Sequence, residues 1–323
     1  MGRSRWLFGL AALVALPAVA LTLNRIVQPD AGWAIRLVAF TPFALPFYVV
    51  CLLLVIGVLL ADPAARRRAV GVPTVVLALG LVVHASWLAP EFVGRSPDVA
   101  GETFTVMNLN LLRGNADPEQ VVRLVEERGV EVLVLEEITD AAVAALERAG
   151  LSEVLPHSAG QAGSDVEGTM VFATENIEAV SQIGTGFGAW SMTVRLPQGD
   201  VQLAAVHPVA PVGDARSWRQ DFGVLEASQR ERPSDLMVGD FNATLDHRAL
   251  RELGFDDAAA MVNHGWGPTW PDNGTTDILG VPVPRMVAID HVLLGDRMAA
   301  TEVDSASVDG TDHRAVIAEV GLR

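Results

Sequence analysis

Three long apolar stretches fill the first 89 residues, and they restrict the possible folds more than any other feature. They run over residues 6–23, 37–60 and 70–89, and none carries a charged side chain in its interior. Each is close to the ~20 residues with which an α-helix crosses ~30 Å of hydrocarbon. Pro17, Pro42, Pro46 and Pro73 would break soluble helices, but helices in lipid tolerate proline better. Trp6, Trp33 and Trp87 stand at segment ends, where amphipathic rings settle at the membrane interface. Half of the 323 residues are hydrophobic, as expected of a chain that lies partly in lipid. Cys51, the single cysteine, excludes an intramolecular disulfide and a cysteine-based zinc site. It reads as a filler facing lipid or another helix, and His84 as a third-helix residue near the outer interface.

Arginine placement gives an orientation. Arg3 and Arg5 precede the first stretch, and Arg66, Arg67 and Arg68 join the second to the third. Both positions favour the cytoplasm, so three crossings put the N-terminus inside and everything after residue 89 outside. The first stretch also reads as a signal peptide ending at Ala18-Val19-Ala20. Cleavage there would leave two spans and the same outer location. The basic residues are all arginine: 8 against 3 acids in residues 1–95, and 15 against 36 acids in the remainder. A basic, apolar front is thus joined to a back half of net charge −21. That charge argues against tight non-specific binding to a nucleic-acid backbone, which rests on cation–phosphate contacts. Arg216, Arg219, Arg230 and Arg232 could still guide a polyanion locally. Uncharged spans line no obvious transport pathway.

Residues 1–95 therefore read as a membrane domain and 96–323 as a catalytic domain, with a linker over 90–102. In the second domain short strands alternate with helices. Asp117-Pro118 predicts a helix start and Gly129 its end; Thr139 caps a second helix that ends near Gly150. A third helix spans Ala215–Ser228. Strands are expected at Phe104–Leu109, Val130–Leu135, Gly168–Ala173, Ser191–Leu196, Val201–Val206, Asp235–Val238, Met286–Leu294 and Arg314–Val320. The segment Thr301–Ser307 is polar and carries no signal. Six of these strands place a polar residue at one terminus: Asn108 and Asn110, Glu136 and Glu137, His207, Asp240 and Asn242, Asp290, and Asp312 with His313. In a shared layer those side chains would converge on one rim. Oxygen ligands without cysteine suit Mg²⁺ or Mn²⁺, and a histidine beside carboxylates supplies acid–base chemistry near neutrality. Together they are the parts of metal-assisted phosphate-ester hydrolysis. Asp246-His247 reads as the surface at a helix start, outside the site. No Ser-His-Asp set and no glycine-rich phosphate loop is evident.

The ordered stretches Val106-Met107-Asn108-Leu109-Asn110, Val134-Leu135-Glu136-Glu137, Val206-His207-Pro208, Val238-Gly239-Asp240-Phe241-Asn242, Pro268-Thr269-Trp270, Ala288-Ile289-Asp290-His291-Val292 and Gly310-Thr311-Asp312-His313-Arg314 resemble the endonuclease/exonuclease/phosphatase superfamily. The resemblance covers residues 102–320 and leaves the membrane front outside. It implies an α/β (α+β) four-layer sandwich, two β-sheets flanked by helices, with the site at one end of the facing sheets. It implies Glu137, Asp312 and Asn108 (more weakly Asn110) at a Mg²⁺ or Mn²⁺ ion. By the same resemblance Asp240 positions or deprotonates the attacking water and Asn242 contacts phosphate. His313 is the catalytic histidine oriented by Asp290, and His207 is a second histidine. Many members carry Gln where this chain has Glu136, so an extra charge lies near the metal pocket and one or two ions are compatible with it. The expected activity is hydrolysis of a phosphodiester or phosphomonoester in nucleic acid, a phospholipid headgroup or a small molecule. The alternative is a catalytically silent membrane sensor or binding module on the same fold. The lipid bilayer is the expected partner of the front, and no protein partner is predicted.

Overall fold

A computed structural model of the chain describes residues 2–61, 72–94, 98–275 and 277–323. The chain divides into two compact units, Met1–Pro90 and Glu91–Arg323. The first contains helices α1 (Gly2–Val27), α2 (Gly32–Val38), α3 (Ala44–Ala61) and α4 (Val72–Leu88). Among the described residues, three windows are long and apolar enough to cross a membrane: Gly9–Val27, Thr41–Val58 and Thr74–Glu91. The second apolar stretch is not one helix, because the chain breaks between Val38 and Ala44 around a 3-10 turn, Thr41–Phe43. Pro42 lacks an N–H and disfavours helical geometry at Thr41. The Thr41 hydroxyl instead donates to the Val38 carbonyl (2.6 Å).

Small residues let these helices approach. Ala11 and Ala18 of α1 pack with Ala44 and Cys51 of α3, and a Cβ on Gly80 would meet the Tyr48 ring at 2.4 Å. Close approach of this kind drives helix association where lipid removes the hydrophobic incentive. Leu13, Leu16, Leu53 and Leu79 are exposed, as lipid-facing side chains would be. His84 is buried among the helices: its Nε2 lies 2.8 Å from Thr22 Oγ1, which also meets the Tyr48 hydroxyl at 2.7 Å. The Arg66–Arg68 loop lies outside the described residues.

The second unit holds two six-stranded mixed sheets. The first has the order β13-β14-β1-β2-β4-β3, from β1 (Phe104–Asn110), β2 (Val130–Glu136), β3 (His157–Gln161), β4 (Thr169–Ala173), β13 (Met298–Ser307) and β14 (Arg314–Leu322). The second has the order β5-β6-β7-β8-β12-β9, from β5 (Ile177–Gln182), β6 (Ala189–Leu196), β7 (Gly199–Val206), β8 (Leu236–Asp240), β9 (Asp256–Asp257) and β12 (Asp290–Leu294). A separate hairpin joins β10 (Asp277–Ile278) to β11 (Val281–Pro282). Helix α5 (Pro118–Arg128) connects the parallel pair β1–β2. Helices α6 (Asp140–Arg148) and α7 (Leu151–Val154) follow β2, and α8 (Ala215–Glu231) connects the parallel pair β7–β8. The sequence signals set the helix ends. The Asp117 carboxylate accepts from Glu119 N and Gln120 N, Gly129 takes the left-handed conformation at φ 59°, and Thr139 caps α6 through Ala142 N.

Strand periodicity sorts the core into two layers. Val106, Val132 and Val134 face Met192, Leu203, Val238 and Val292 between the sheets. Met107, Leu109, Leu133 and Leu135 turn outward onto Val121, Val125 and Leu146 of the helices. Both faces of β1 and β2 are thus covered, which is why they read as apolar runs rather than as alternation. The segment without signal, Thr301–Ser307, belongs to edge strand β13. Edge strands are half exposed and can be polar, so their pattern is weak in sequence. In the expected strand Met286–Leu294 only Asp290–Leu294 forms a ladder, while Val287 makes an isolated bridge to Trp270.

Candidate active site

The six polar-ended strands do not share one layer. β1, β2 and β14 lie in the first sheet, and β7, β8 and β12 in the second. Their polar ends meet across the sandwich. In-register pairing sets Asn110 beside Glu136 and Asp290 beside Asp240. The Asn110 amide then bridges the sheets, donating to Glu137 Oε1 and to Asp240 Oδ2, both at 3.1 Å. Thr311 donates its hydroxyl to the Asn110 carbonyl (2.7 Å) and accepts from His313 N (3.1 Å), which fixes the loop before β14.

His313 is the hub of the site. Its Nδ1 lies 3.1 and 3.0 Å from the two Asp290 oxygens, and its Nε2 lies 3.8 Å from Asp240 Oδ2. Burial works against a charged ring, but Asp290 and Asp240 outweigh it and carry His313 up to about 10. The ring is therefore an imidazolium at neutral pH. Burial pushes the Asp240 carboxyl up to about 7, against the pull of His313. His207 is fully enclosed, with Nε2 3.6 Å from Asp240 Oδ2 and the Phe187 ring tilted against it at 4.9 Å. Burial, then the positive His313, lower it to about 3, so this second histidine is neutral.

Among the non-glycine residues with left-handed backbone are two of the expected site residues, Glu137 at φ 51° and Asn242 at φ 48°. Such conformations cost roughly 1–2 kcal/mol for a residue with a side chain, and they cluster at functional sites. At Asn242 the cost is offset locally. Its N–H donates to Asp240 Oδ1 (2.8 Å), its Nδ2 to Pro208 O (3.1 Å), and its carbonyl accepts from Trp218 Nε1 (3.2 Å). Glu137 is steadied by Arg113 N, which donates to Oε2 at 2.8 Å. Burial pushes the Glu137 carboxyl above its usual range, while the bonds from Asn110 and Arg113 pull it back.

The remaining expected residues divide. Asp312 reaches the rim, with Oδ1 3.9 Å from His313 Nε2. Asn108 does not join Glu137: it sits one pair deeper on the same face of β1, with its side-chain amide against the Glu136 carboxyl. A two-residue step along a strand is about 7 Å, and only Asn110 is at the sheet end. Glu136 itself is fully buried, and burial, then Asp290 and Asp240, raise it well above the carboxylate range. His247 precedes a short helix, α9 (Arg248–Arg251), as expected, but it is buried and packs on Trp218 at 5.5 Å.

The residues suit a hard divalent cation. Glu136, Glu137, Asp240, Asp290 and Asp312 bring five carboxyls, His313 the one cationic side chain among them. The Asp312 Oδ1 atom is buried without a hydrogen-bond partner. An acceptor left this way is costly unless something positive meets it. Asp240, Asp290 and His313 also offer ligand atoms within 4.8 Å of one another. A protonated imidazole cannot ligate a metal, which leaves Glu137 and Asp312 as further candidates to hold a cation.

Sequence reasoning missed the residues that support this set. Trp218 of α8 steadies Asn242, and Asp221 of the same helix accepts from Gly186 N (2.9 Å) and Val209 N (2.8 Å) around the His207 loop. Trp270 donates its indole N–H to Asp312 Oδ2 (2.8 Å). The Pro268-Thr269-Trp270 motif marked the last of these without a role; nothing in the sequence marked the other two.

Two mixed sheets flanked by helices, with carboxylates and histidines at one end, are one of the architectures on which phosphate-ester hydrolases are built. The chain belongs to the Endonuclease/Exonuclease/phosphatase family, whose model matches residues 107–313. No curated protein matches the chain. Among solved structures it is similar to an endonuclease/exonuclease/phosphatase from Beutenbergia cavernae DSM 12333, at 17% identity and TM-score 0.54 over 69% of this chain and 72% of that one. A family protein from Leptotrichia buccalis C-1013-b matches at 12% identity and TM-score 0.52, over 67% and 99%. TDP2 from D. rerio, in complex with a single-strand DNA product, matches at 13% and 0.52, over 68% and 100%.

Proposed function

We propose that the chain is a membrane-anchored, divalent-cation-dependent phosphoesterase that cleaves a phosphodiester or phosphomonoester by in-line attack of water. The observation that carries this reading is the Asp290–His313–Asp240 constellation. It sets a proton donor and a proton acceptor 3.8 Å apart at the end of the sandwich. Asp240, raised to about 7, takes the proton of the attacking water. His313 hydrogen-bonds the phosphoryl oxygen and gives its proton to the departing oxygen as the phosphorus–oxygen bond breaks. Neutral His207 and the amide of Asn242 contribute uncharged contacts to phosphate. Glu137 and Asp312 would hold Mg²⁺ or Mn²⁺, with Asn110 as the first-strand neighbour. When bound, the cation supplies charge neutralisation at the phosphoryl oxygens.

Residues 1–95 anchor the chain and 96–323 carry the chemistry. The arginine pattern favours an extracytoplasmic catalytic domain. A C-terminal alkaline-phosphatase fusion is then expected to be active and a C-terminal green fluorescent protein fusion dark; the opposite pair of signals would reverse the orientation. The function itself is tested with the full chain in detergent and Mg²⁺, against plasmid DNA, sphingomyelin and bis-p-nitrophenyl phosphate. Hydrolysis of at least one is expected. Inertness towards all three, with Mn²⁺ as well, would favour the silent binding module.

A further inference from the structure

The geometry points to Trp270 as a positioning residue that commits one oxygen of Asp312 and leaves the other for the cation; this rests on the reading of Asp312 as a cation ligand. The indole N–H takes Oδ2 at 2.8 Å, while Oδ1 is buried and has no hydrogen-bond partner. Without that bond, Asp312 could turn about its side-chain torsions towards His313, whose Nε2 is already 3.9 Å from Oδ1. An oxygen taken up by the ring nitrogen would be lost to the metal. An indole N–H has a single donor direction and no charge. It can therefore hold a carboxylate without neutralising it, which an arginine or lysine in its place would do.

The donor is itself fixed. Trp270 N donates to Val287 O (3.0 Å), and Val287 N returns a bond to Trp270 O (3.1 Å). The same segment grips the backbone on both sides of the Asp312–His313 pair. Asp272 N donates to Asp312 O (2.7 Å), and Arg314 N donates to Thr269 O (3.0 Å). Thr269 Oγ1 also accepts from Ile289 N (3.2 Å) and Asp290 N (3.4 Å). One short segment, Thr269–Asp272, thus registers both carboxylates that flank His313. Asp290 is set through the backbone, and Asp312 through its backbone and one side-chain oxygen.

The test is Mn²⁺ binding to the full chain in detergent, followed by titration calorimetry and by the Mn²⁺ concentration giving half-maximal hydrolysis. Trp270→Phe keeps an aromatic ring and removes the donor. Its Mn²⁺ Kd is expected to rise about 10–100-fold, the usual effect of losing an outer partner of a ligand. Its kcat at saturating Mn²⁺ should stay near wild type, and its melting point in EDTA should hardly move. Trp270→His puts an imidazole Nε2–H where the indole Nε1–H was in the five-membered ring, so it should recover part of the affinity. Trp270→Phe combined with Asp312→Asn should bind no more weakly than Asp312→Asn alone. Wild-type affinity in Trp270→Phe, or equal losses in the Phe and His variants, would overturn the inference. Wild-type affinity in Asp312→Asn would instead remove Asp312 from the ligand set, and this inference with it. Hydrolysis by the wild-type chain reports on the proposed function separately from either result.

Discussion

Replacing His313 by alanine is expected to remove most of the hydrolytic rate, by the ~10²–10⁴-fold that a positioned acid–base group contributes. The same factor should be lost in large part by Asp290→Asn. Asp290 meets Nδ1 with both oxygens at about hydrogen-bond distance, so it fixes the ring plane and keeps the ring charged. An asparagine keeps the shape and removes the charge, and the imidazolium then faces its burial with less support. Because the two side chains act as one unit, the double variant should be little slower than His313→Ala alone. Metal affinity should scarcely change in either single variant. The measurement is kcat/KM on one phosphodiester for wild type, both singles and the double. Losses that simply multiply would show that the residues act independently and would dissolve the pair.

Removal of divalent cations is expected to abolish hydrolysis altogether, and Mg²⁺ or Mn²⁺ to restore it. Even with Glu136 held in its neutral form, acidic groups outnumber the one imidazolium, and a phosphate substrate would add further negative charge. Without a cation that assembly repels its own substrate. Glu137→Gln removes one of the two proposed ligands at a strand end rather than in the core. Its requirement for Mg²⁺ should therefore rise by more than the roughly 10–100-fold typical of an outer-sphere loss, with the fold retained. The glutamine carbonyl can still accept one of the Asn110 and Arg113 contacts, which should keep the loop ordered. Full activity in EDTA is the outcome that would refute the metal role.

The two unit types were unequally legible in the sequence. Apolar runs of membrane length declare themselves by composition alone, and the helix ends at Asp117, Gly129 and Thr139 by local capping chemistry. The break at Thr41–Phe43 was signalled only by Pro42, whose effect depends on whether lipid or a partner helix satisfies the freed groups. In the second unit the buried central strands were plain, while edge strands β3, β5 and β13 were not. A strand at an edge needs no apolar face of its own.

What the sequence by itself determined was the inventory: which strands end in Asn, Glu, His or Asp, and in what order. Those short-range facts follow from residue type and spacing. Only the tertiary structure decided who meets whom. It split the six strand ends between two sheets and brought Asp290 to His313 over 23 positions of chain. It chose Asn110 over Asn108 as the bridge between Glu137 and Asp240, and it gave Asp312 to Trp270. These are contacts between residues distant in sequence, fixed by register across a ladder and by packing between sheets. A one-residue slip in either would turn each side chain to the opposite face, so no local pattern in the chain can specify them.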